Sequence, residues 1–347
     1  MTIFVTGATG VLGQPVIRGL IEKGHMVRAL CRSSANRETL NRMGAIAEEV
    51  DLYDVSALAD VFGDCHTVLH LATRIPPAKE MRKPDAWHEN DRIRRNGTAA
   101  IVAAAEAAGT IETLLYPSVS FFYGNGGSAW MDATNAECEP ASFLRSTLDA
   151  EACVHAFSEG GTHRRGIVLR FGGFYGPPSR ESVQMLDLAR RGLFMPVAEP
   201  EAYRSMIWID DAARAVLDAV EEAPAGTYDV VEDAPSTQRQ SAMALGVAVG
   251  RAGLRSMPRW LLHFALPEEL RRVLARSHRI SNGRFRELTG WRPAVSSQVD
   301  GWRLLERAAH GGTETRRHRS AGSGPSRSER SGPAGTMPSG FSATIEK

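Results

Sequence analysis

Short apolar runs rich in β-branched residues alternate with segments of helical periodicity through the first half of the chain. The runs at Thr2–Thr6, Met26–Cys31, Ala45–Val50, His66–Leu71, Glu112–Pro117 and Ile167–Phe171 predict strands. Between them, helical patterns cover Val11–Lys23, Asn36–Met43, Val55–Phe62, about Pro84–Ala108, and Ser142–Glu159. Gly24 and Gly109 follow two of these helices, where a left-handed residue commonly ends a helix. This alternation predicts an α/β fold: a doubly wound parallel sheet with helices on both faces and right-handed crossovers. Such sheets bind ligands at the carboxyl ends of their strands, near the point where strand order reverses.

The first strand runs into Gly7-Ala8-Thr9-Gly10-Val11-Leu12-Gly13, which opens the first helix. Gly7 permits a tight turn, and Gly10 lets backbone N–H groups approach a pyrophosphate. Gly13 lets the helix pack close to the strand, and the helix N-terminus adds a positive dipole. A dinucleotide is therefore the expected cofactor, held by Gly7, Thr9, Gly10, Val11, Leu12 and Gly13.

After Phe171 the regular alternation breaks. Helical patterns fall at Ser182–Arg191, Asp210–Glu221, Gln238–Val249, Trp260–Phe264, Glu268–Arg276 and Gln298–Ala308, with one further strand at Gly226–Val231. The expected organisation is a dinucleotide-binding Rossmann domain over 1–171, to which 210–231 returns, and a smaller interleaved substrate lobe over 172–309. From about His310 the composition shifts to Gly, Ser, Arg, Pro and Thr, so residues 310–347 are expected to be a disordered tail.

Composition narrows the partners. A formal net charge of +1 builds no field for nucleic acid or an anionic membrane. No run reaches the roughly 18 apolar residues of a membrane helix, and a strand beginning at residue 2 leaves no room for a signal peptide. A cytoplasmic protein, monomer or homodimer, acting on a small molecule is expected. Cys31, Cys65, Cys138 and Cys153 are scattered, and the histidines lack ligand spacing, so no metal is expected. Lysine occurs only at 23, 79, 83 and 347.

The end of the second strand, Val27-Arg28-Ala29-Leu30-Cys31-Arg32, carries no carboxylate to read a ribose 2′-OH. Arg32 stands where an arginine accommodates a 2′-phosphate, which favours NADP over NAD. Asp51 and Leu52 follow the third strand, where the Asp can accept from the adenine amine. Leu71, Ala72 and Thr73 leave the fourth strand and skirt the cofactor, and His70 reads as a satisfied core histidine.

Together these residues resemble the NAD-dependent epimerase/dehydratase group of extended short-chain dehydrogenases/reductases. The resemblance rests on the glycine loop, Asp51-Leu52, His70-Leu71-Ala72, Gly97-Thr98, Ser118 through Tyr123-Gly124, Leu169-Arg170-Phe171, Phe174-Tyr175-Gly176-Pro177, Trp208-Ile209-Asp210-Asp211 and Gly290-Trp291-Arg292-Pro293. It implies a catalytic tyrosine followed four residues later by a lysine, on the helix after strand five. The tyrosine exchanges a proton with the substrate oxygen; the lysine lowers its pKa and holds the nicotinamide ribose. Here Phe143 stands in the tyrosine position and Thr147 in that of the lysine. The chain thus resembles an atypical branch without the usual catalytic pair.

Tyr123, Tyr175 and Ser118 are the remaining candidate proton donors. Asn90, Asp91, Arg92 and Arg94 either line the opening or form a solvated helix face. Phe171, Gly172 and Phe174 are expected beside the nicotinamide, the glycines allowing close approach. Phe143, Thr147, Met195 and Trp208 are expected to line the substrate pocket, whose apolar character suggests a flat aromatic or polyketide-like molecule. The resulting expectation is an NADP-dependent oxidoreductase, or an isomerase that keeps its cofactor bound. The alternative is a non-catalytic NADP-binding sensor or partner-binding protein.

Overall fold

A computed structural model describes residues 1–77, 80–83, 85–177 and 179–321. Seven strands form the central sheet: β1 (Thr2–Thr6), β2 (Met26–Leu30), β3 (Ile46–Glu48), β4 (Thr67–His70), β5 (Thr113–Val119), β6 (Arg165–Phe171) and β7 (Gly226–Val230). Their order is β7-β6-β5-β4-β1-β2-β3, and every pairing is parallel. The order reverses between β1 and β4, which places a crevice at their carboxyl ends. The flanking helices are α1 (Gly13–Glu22), α2 (Ser34–Arg42), α3 (Val55–Phe62), α4 (His88–Arg92), α5 (Thr98–Ala108), α6 (Arg145–Glu159), α7 (Arg180–Arg190) and α8 (Ile209–Glu222).

The period-two pattern of the strands sorts their side chains onto the two faces. Ile3, Val5, Leu69, Leu115, Ile167 and Leu169 pack with α1 and α8, whereas Phe4, Val68, Leu114, Tyr116 and Val168 pack with α3, α5 and α6. Capping follows the sequence. Gly24 and Gly109 adopt φ of +80° and +71°, and the Asp54 side chain accepts from Ala57 N at the start of α3.

The expected helix from Pro84 is interrupted. It begins with α4 at His88, passes through a π turn over Ile93–Gly97, and continues as α5. Short strand pairs outside the central sheet were not foreseen: Gly173–Tyr175 with Met206–Trp208, Tyr203–Arg204 with Ser236–Thr237, Leu193–Phe194 with Arg255–Ser256, and Trp130–Met131 with Arg279–Ile280. Strands of two or three residues carry no periodicity to read.

The second half is stitched into the first. Phe285 and Trp291 lie in the same buried cluster as Ile3 and Val5. The Asp211 carboxylate accepts from Ala294 N and Val295 N at 3.0 and 2.9 Å, and the Tyr123 carbonyl accepts from Arg276 Nη1 at 3.0 Å. Residues Met1–Ala308 accordingly form one unit.

The last helix spans Gln298–Ala321, across the expected start of a disordered tail at His310. Trp302 and Leu305 anchor its first turns in a buried cluster, and extending a formed helix costs far less than nucleating one. Residues 322–347 of that expected tail lie outside the described residues.

Candidate functional site

The glycine loop sits at the β1/β4 crevice. Gly7 has φ +70°, and a Cβ there would lie 2.6 Å from the Leu71 and Ala72 backbone. Only glycine lets the loop pass this close to the exit of β4. A Cβ at Gly13 would fall 2.2 Å from the Gly7 carbonyl oxygen, so this glycine seats α1 against the turn. Gly10 is exposed, and a Cβ there would meet only the Gly7 carbonyl oxygen, at 3.1 Å. The Leu12 side chain is buried below it, Val11 is exposed on the crest, and the Thr9 carbonyl accepts from Gln14 Nε2. The first turn of α1 has neither a side-chain cap nor an acidic residue. No side chain or negative charge there competes with an anion, and the loop fits a dinucleotide pyrophosphate.

Neighbouring segments complete the cradle. Thr6 Oγ1 lies 2.7 Å from His70 Nδ1 and accepts from Ala72 N, which fixes the turn from Leu71 to Thr73. Burial lowers the His70 pKa from 6.5 to about 4, as a core histidine requires. Leu52 packs on Gly97, where a Cβ would lie 2.8 Å from its Cδ2. Exposed Asp51 accepts from Tyr53 N, and the Arg92 guanidinium lies 3.9 Å above the Tyr53 ring. Arg32 is exposed and forms no salt bridge among the described residues.

The proton-donor candidates stand differently. Tyr123 is fully buried; its hydroxyl donates to Asp229 Oδ1 at 2.8 Å and accepts from Arg170 Nη1 at 3.0 Å. Burial, together with the Asp229 carboxylate, raises its pKa far above the ordinary value. Ser118 is 2% exposed and donates to Glu151. Glu151 is also held by Arg170, through Nε at 3.1 Å and Nη2 at 2.7 Å. Tyr175 lies between Trp208 and Trp302 in the core of the second half, its hydroxyl on the Ser297 carbonyl at 3.2 Å. Gly301 of the last helix lets the chain close over it. All three hydroxyls are thus committed to the interior, and none is placed as a free donor. Strand alternation explains Tyr175: Phe174 turns to the sheet core and Tyr175 to the opposite side.

The pocket expectations also shift. Phe143 is half-buried and stacks on Trp87, with ring centroids 4.8 Å apart. Thr147 is fully buried and accepts from Arg94 Nη1. Arg94 is itself 4% exposed, so this part of the helix is not a solvated face. Asn90 is buried too and accepts from Arg74 N. Trp208 belongs to the same interior cluster as Tyr175 rather than to a pocket wall, because it packs edge-on to that ring. Met195 is half-buried beyond the short strand Leu193–Phe194. Phe171 is 1% exposed, with Phe174 edge-on to it. A Cβ at Gly172 would fall 2.6 Å from the Ser205 carbonyl oxygen, so this glycine seats the chain against Ser205.

Sequence reasoning missed Glu151, Arg170 and Asp229 as one buried network. The signal was available: Arg170 and Asp229 are charges inside otherwise apolar strands, and such charges need partners.

The model of the NAD dependent epimerase/dehydratase family matches residues 3–231. The chain belongs to that family. It is an NAD(P)-dependent enzyme of the oxidoreductase/epimerase type, and the family implies a nicotinamide cofactor. The chain is 29% identical over 313 residues to a 3-diazoavenalumate denitrifying reductase of a Streptomyces species, covering 87% of this chain and 99% of that one. It is also 29% identical over 262 residues to the 2-alkyl-3-oxoalkanoate reductase of Stenotrophomonas maltophilia, covering 72% and 76%. A human epimerase family protein solved with NADPH superposes with a TM-score of 0.74 at 19% identity, over 88% of this chain and 99% of that one. The UDP-glucose 4-epimerase of Thermotoga maritima, solved with UDP-glucose, gives 0.73 at 21%, over 90% and 100%. These two likenesses establish the fold.

Proposed function

We propose that this protein is an NADPH-dependent reductase of a small aromatic molecule whose reducible group accepts hydride without needing a proton from the enzyme. The observation that carries this reading is the state of the proton donors. Phenylalanine occupies the tyrosine position, and the hydroxyls of Ser118, Tyr123 and Tyr175 are committed to Glu151, Asp229 and Ser297. A carbonyl that accepts hydride becomes an alkoxide and calls for a proton. A cationic acceptor becomes neutral and does not.

A diazo group in its diazonium form meets this requirement. Hydride adds to the terminal nitrogen of Ar–N₂⁺ and gives Ar–N=NH. Loss of N₂ then leaves Ar–H, and atoms, charge and two electrons balance with no enzyme proton. The name of the Streptomyces relative, matched over nearly its whole length, supports this substrate class. The Phe143–Trp87 stack offers an apolar, aromatic surface where the family places its tyrosine.

On the chain's side, the Gly7–Gly13 loop and the start of α1 hold the pyrophosphate, and Arg32 takes the 2′-phosphate. The bound nicotinamide supplies the hydride. The test incubates the protein with NADPH and a diazotised aminobenzoate. The expected result is saturable loss of absorbance at 340 nm, with one N₂ released per NADPH consumed. Turnover of β-keto esters with no reaction of the diazonium compound overturns the proposal.

A further inference from the structure

Arg94 lies in the π turn Ile93–Gly97 between α4 and α5, and only 4% of it is exposed. Its Nη1 donates to the Thr147 hydroxyl, and its Nε has no hydrogen-bond partner among the described residues. The guanidinium faces the Tyr116 hydroxyl, which is also buried without a settled partner. No carboxylate among the described residues pairs with Arg94. Glu151, one turn beyond Thr147 on α6, is taken up by Arg170 and Ser118. A buried guanidinium without a counter-charge is costly to the fold, whereas the neighbouring buried arginine, Arg170, is fully paired.

Its position gives the cost a purpose. Thr147 stands where the family places the lysine that holds the nicotinamide ribose. The same face of α6 carries Glu151, whose partner Ser118 lies near the carboxyl end of β5. His70, at the carboxyl end of β4, feels the Arg94 charge, and a Cβ on Gly97 in the same turn would lie 3.7 Å from His70 Nε2. The unpaired charge therefore sits among Thr147 of α6, Tyr116 of β5 and His70 at the carboxyl end of β4.

We propose that Arg94 replaces the missing lysine: it brings the positive charge from the neighbouring helix, is steered by Thr147, and holds the nicotinamide half of the cofactor. This rests on the nicotinamide cofactor of the family and not on the identity of the substrate. The family's cation has in effect moved from α6 to the facing turn, and a threonine receives it where a lysine would repel it. The role is binding and positioning; no proton passes through the guanidinium.

The test compares Arg94→Gln, which keeps a donor for Thr147 without the charge, with Arg94→Lys. Affinities are measured for NADPH, NADH and 2′,5′-ADP, which lacks the nicotinamide ribose, and the cofactor-free proteins are melted. Arg94→Gln is expected to weaken NADPH and NADH at least tenfold each and leave 2′,5′-ADP unchanged, with a melting temperature equal to or above wild type. Arg94→Lys is expected to bind both dinucleotides within about threefold of wild type. Parallel losses for all three ligands, or unchanged dinucleotide binding with a lowered melting temperature, would mean a structural role and overturn the proposal. These readouts need no substrate, so they stand apart from the diazonium assay.

Discussion

Replacing Gly10 and Gly13 separately by alanine divides cofactor binding from folding at the glycine loop. At Gly13 the new methyl would lie 2.2 Å from the Gly7 carbonyl oxygen and 2.7 Å from the Ala8 carbonyl carbon and oxygen. All three are backbone atoms, so none can swing aside. Overpacking of this kind costs roughly 1–3 kcal/mol. Alanine's better helix propensity returns up to about 1 kcal/mol at the start of α1. With the overpacking cost at the top of that range because only backbone is met, the balance for Gly13→Ala is a loss of about 2 kcal/mol, or about 3 °C in melting temperature for a chain of this size. At Gly10 the methyl meets one oxygen at 3.1 Å and otherwise points outward. The folding cost there is on the order of a few tenths of a kcal/mol, close to that of an ordinary surface substitution. That methyl stands where the pyrophosphate must approach. Losing one or two hydrogen bonds to a charged group, at roughly 1.5–3 kcal/mol each, weakens binding at least about tenfold. Thermal melts of the cofactor-free proteins and NADPH titrations followed by fluorescence measure the two effects. A Gly10→Ala protein that binds NADPH like wild type, or melts as early as Gly13→Ala, would refute this division of labour.

Arg32→Ala should raise the Kd for NADPH at least about tenfold more than that for NADH, because only the former carries a 2′-phosphate; equal losses would count against the NADP assignment. Restoring the family pair with Phe143→Tyr and Thr147→Lys should not produce a large gain in carbonyl reduction, since the new lysine would face the Arg94 guanidinium; steady-state rates on a ketone panel decide this. The buried, neutral His70 contributes stability that is complete above pH 6.5 and lost as pH falls toward its folded value of about 4. The gap in unfolding free energy between wild type and His70→Asn should therefore narrow by about 3 kcal/mol from pH 7.5 to pH 4. A gap that stays constant with pH would show that His70 does not titrate in this way.

The sheet and its cradle were legible because their signals are local. Apolar runs fix β1 to β7, Gly24 and Gly109 punctuate the helices, and the glycine loop lies in one stretch between β1 and α1. The expectation that the catalytic pair is missing is equally local, since it rests on Phe143 and Thr147 at a four-residue spacing. What the sequence withheld was pairing at a distance. The Tyr123 hydroxyl meets Asp229 across 106 positions, and Arg94 meets Thr147 across 53. Nothing local says whether Tyr175 faces a cavity or a tryptophan. That depends on Gly301, 126 residues later, leaving room for the last helix.

The long-range stitching of the second half has a consequence for how such a protein diversifies. The family match ends at residue 231, yet Trp291 and Phe285 fill the core beneath the sheet, and Asp211 caps the backbone at Ala294 and Val295. A chimera joined at residue 231 inherits an aromatic void and a buried carboxylate that keeps Arg214 but loses both of its backbone donors. New specificities on this scaffold must then arise by drift of individual residues around the mouth, with the terminal segment inherited as a matched set and not exchanged as a cassette.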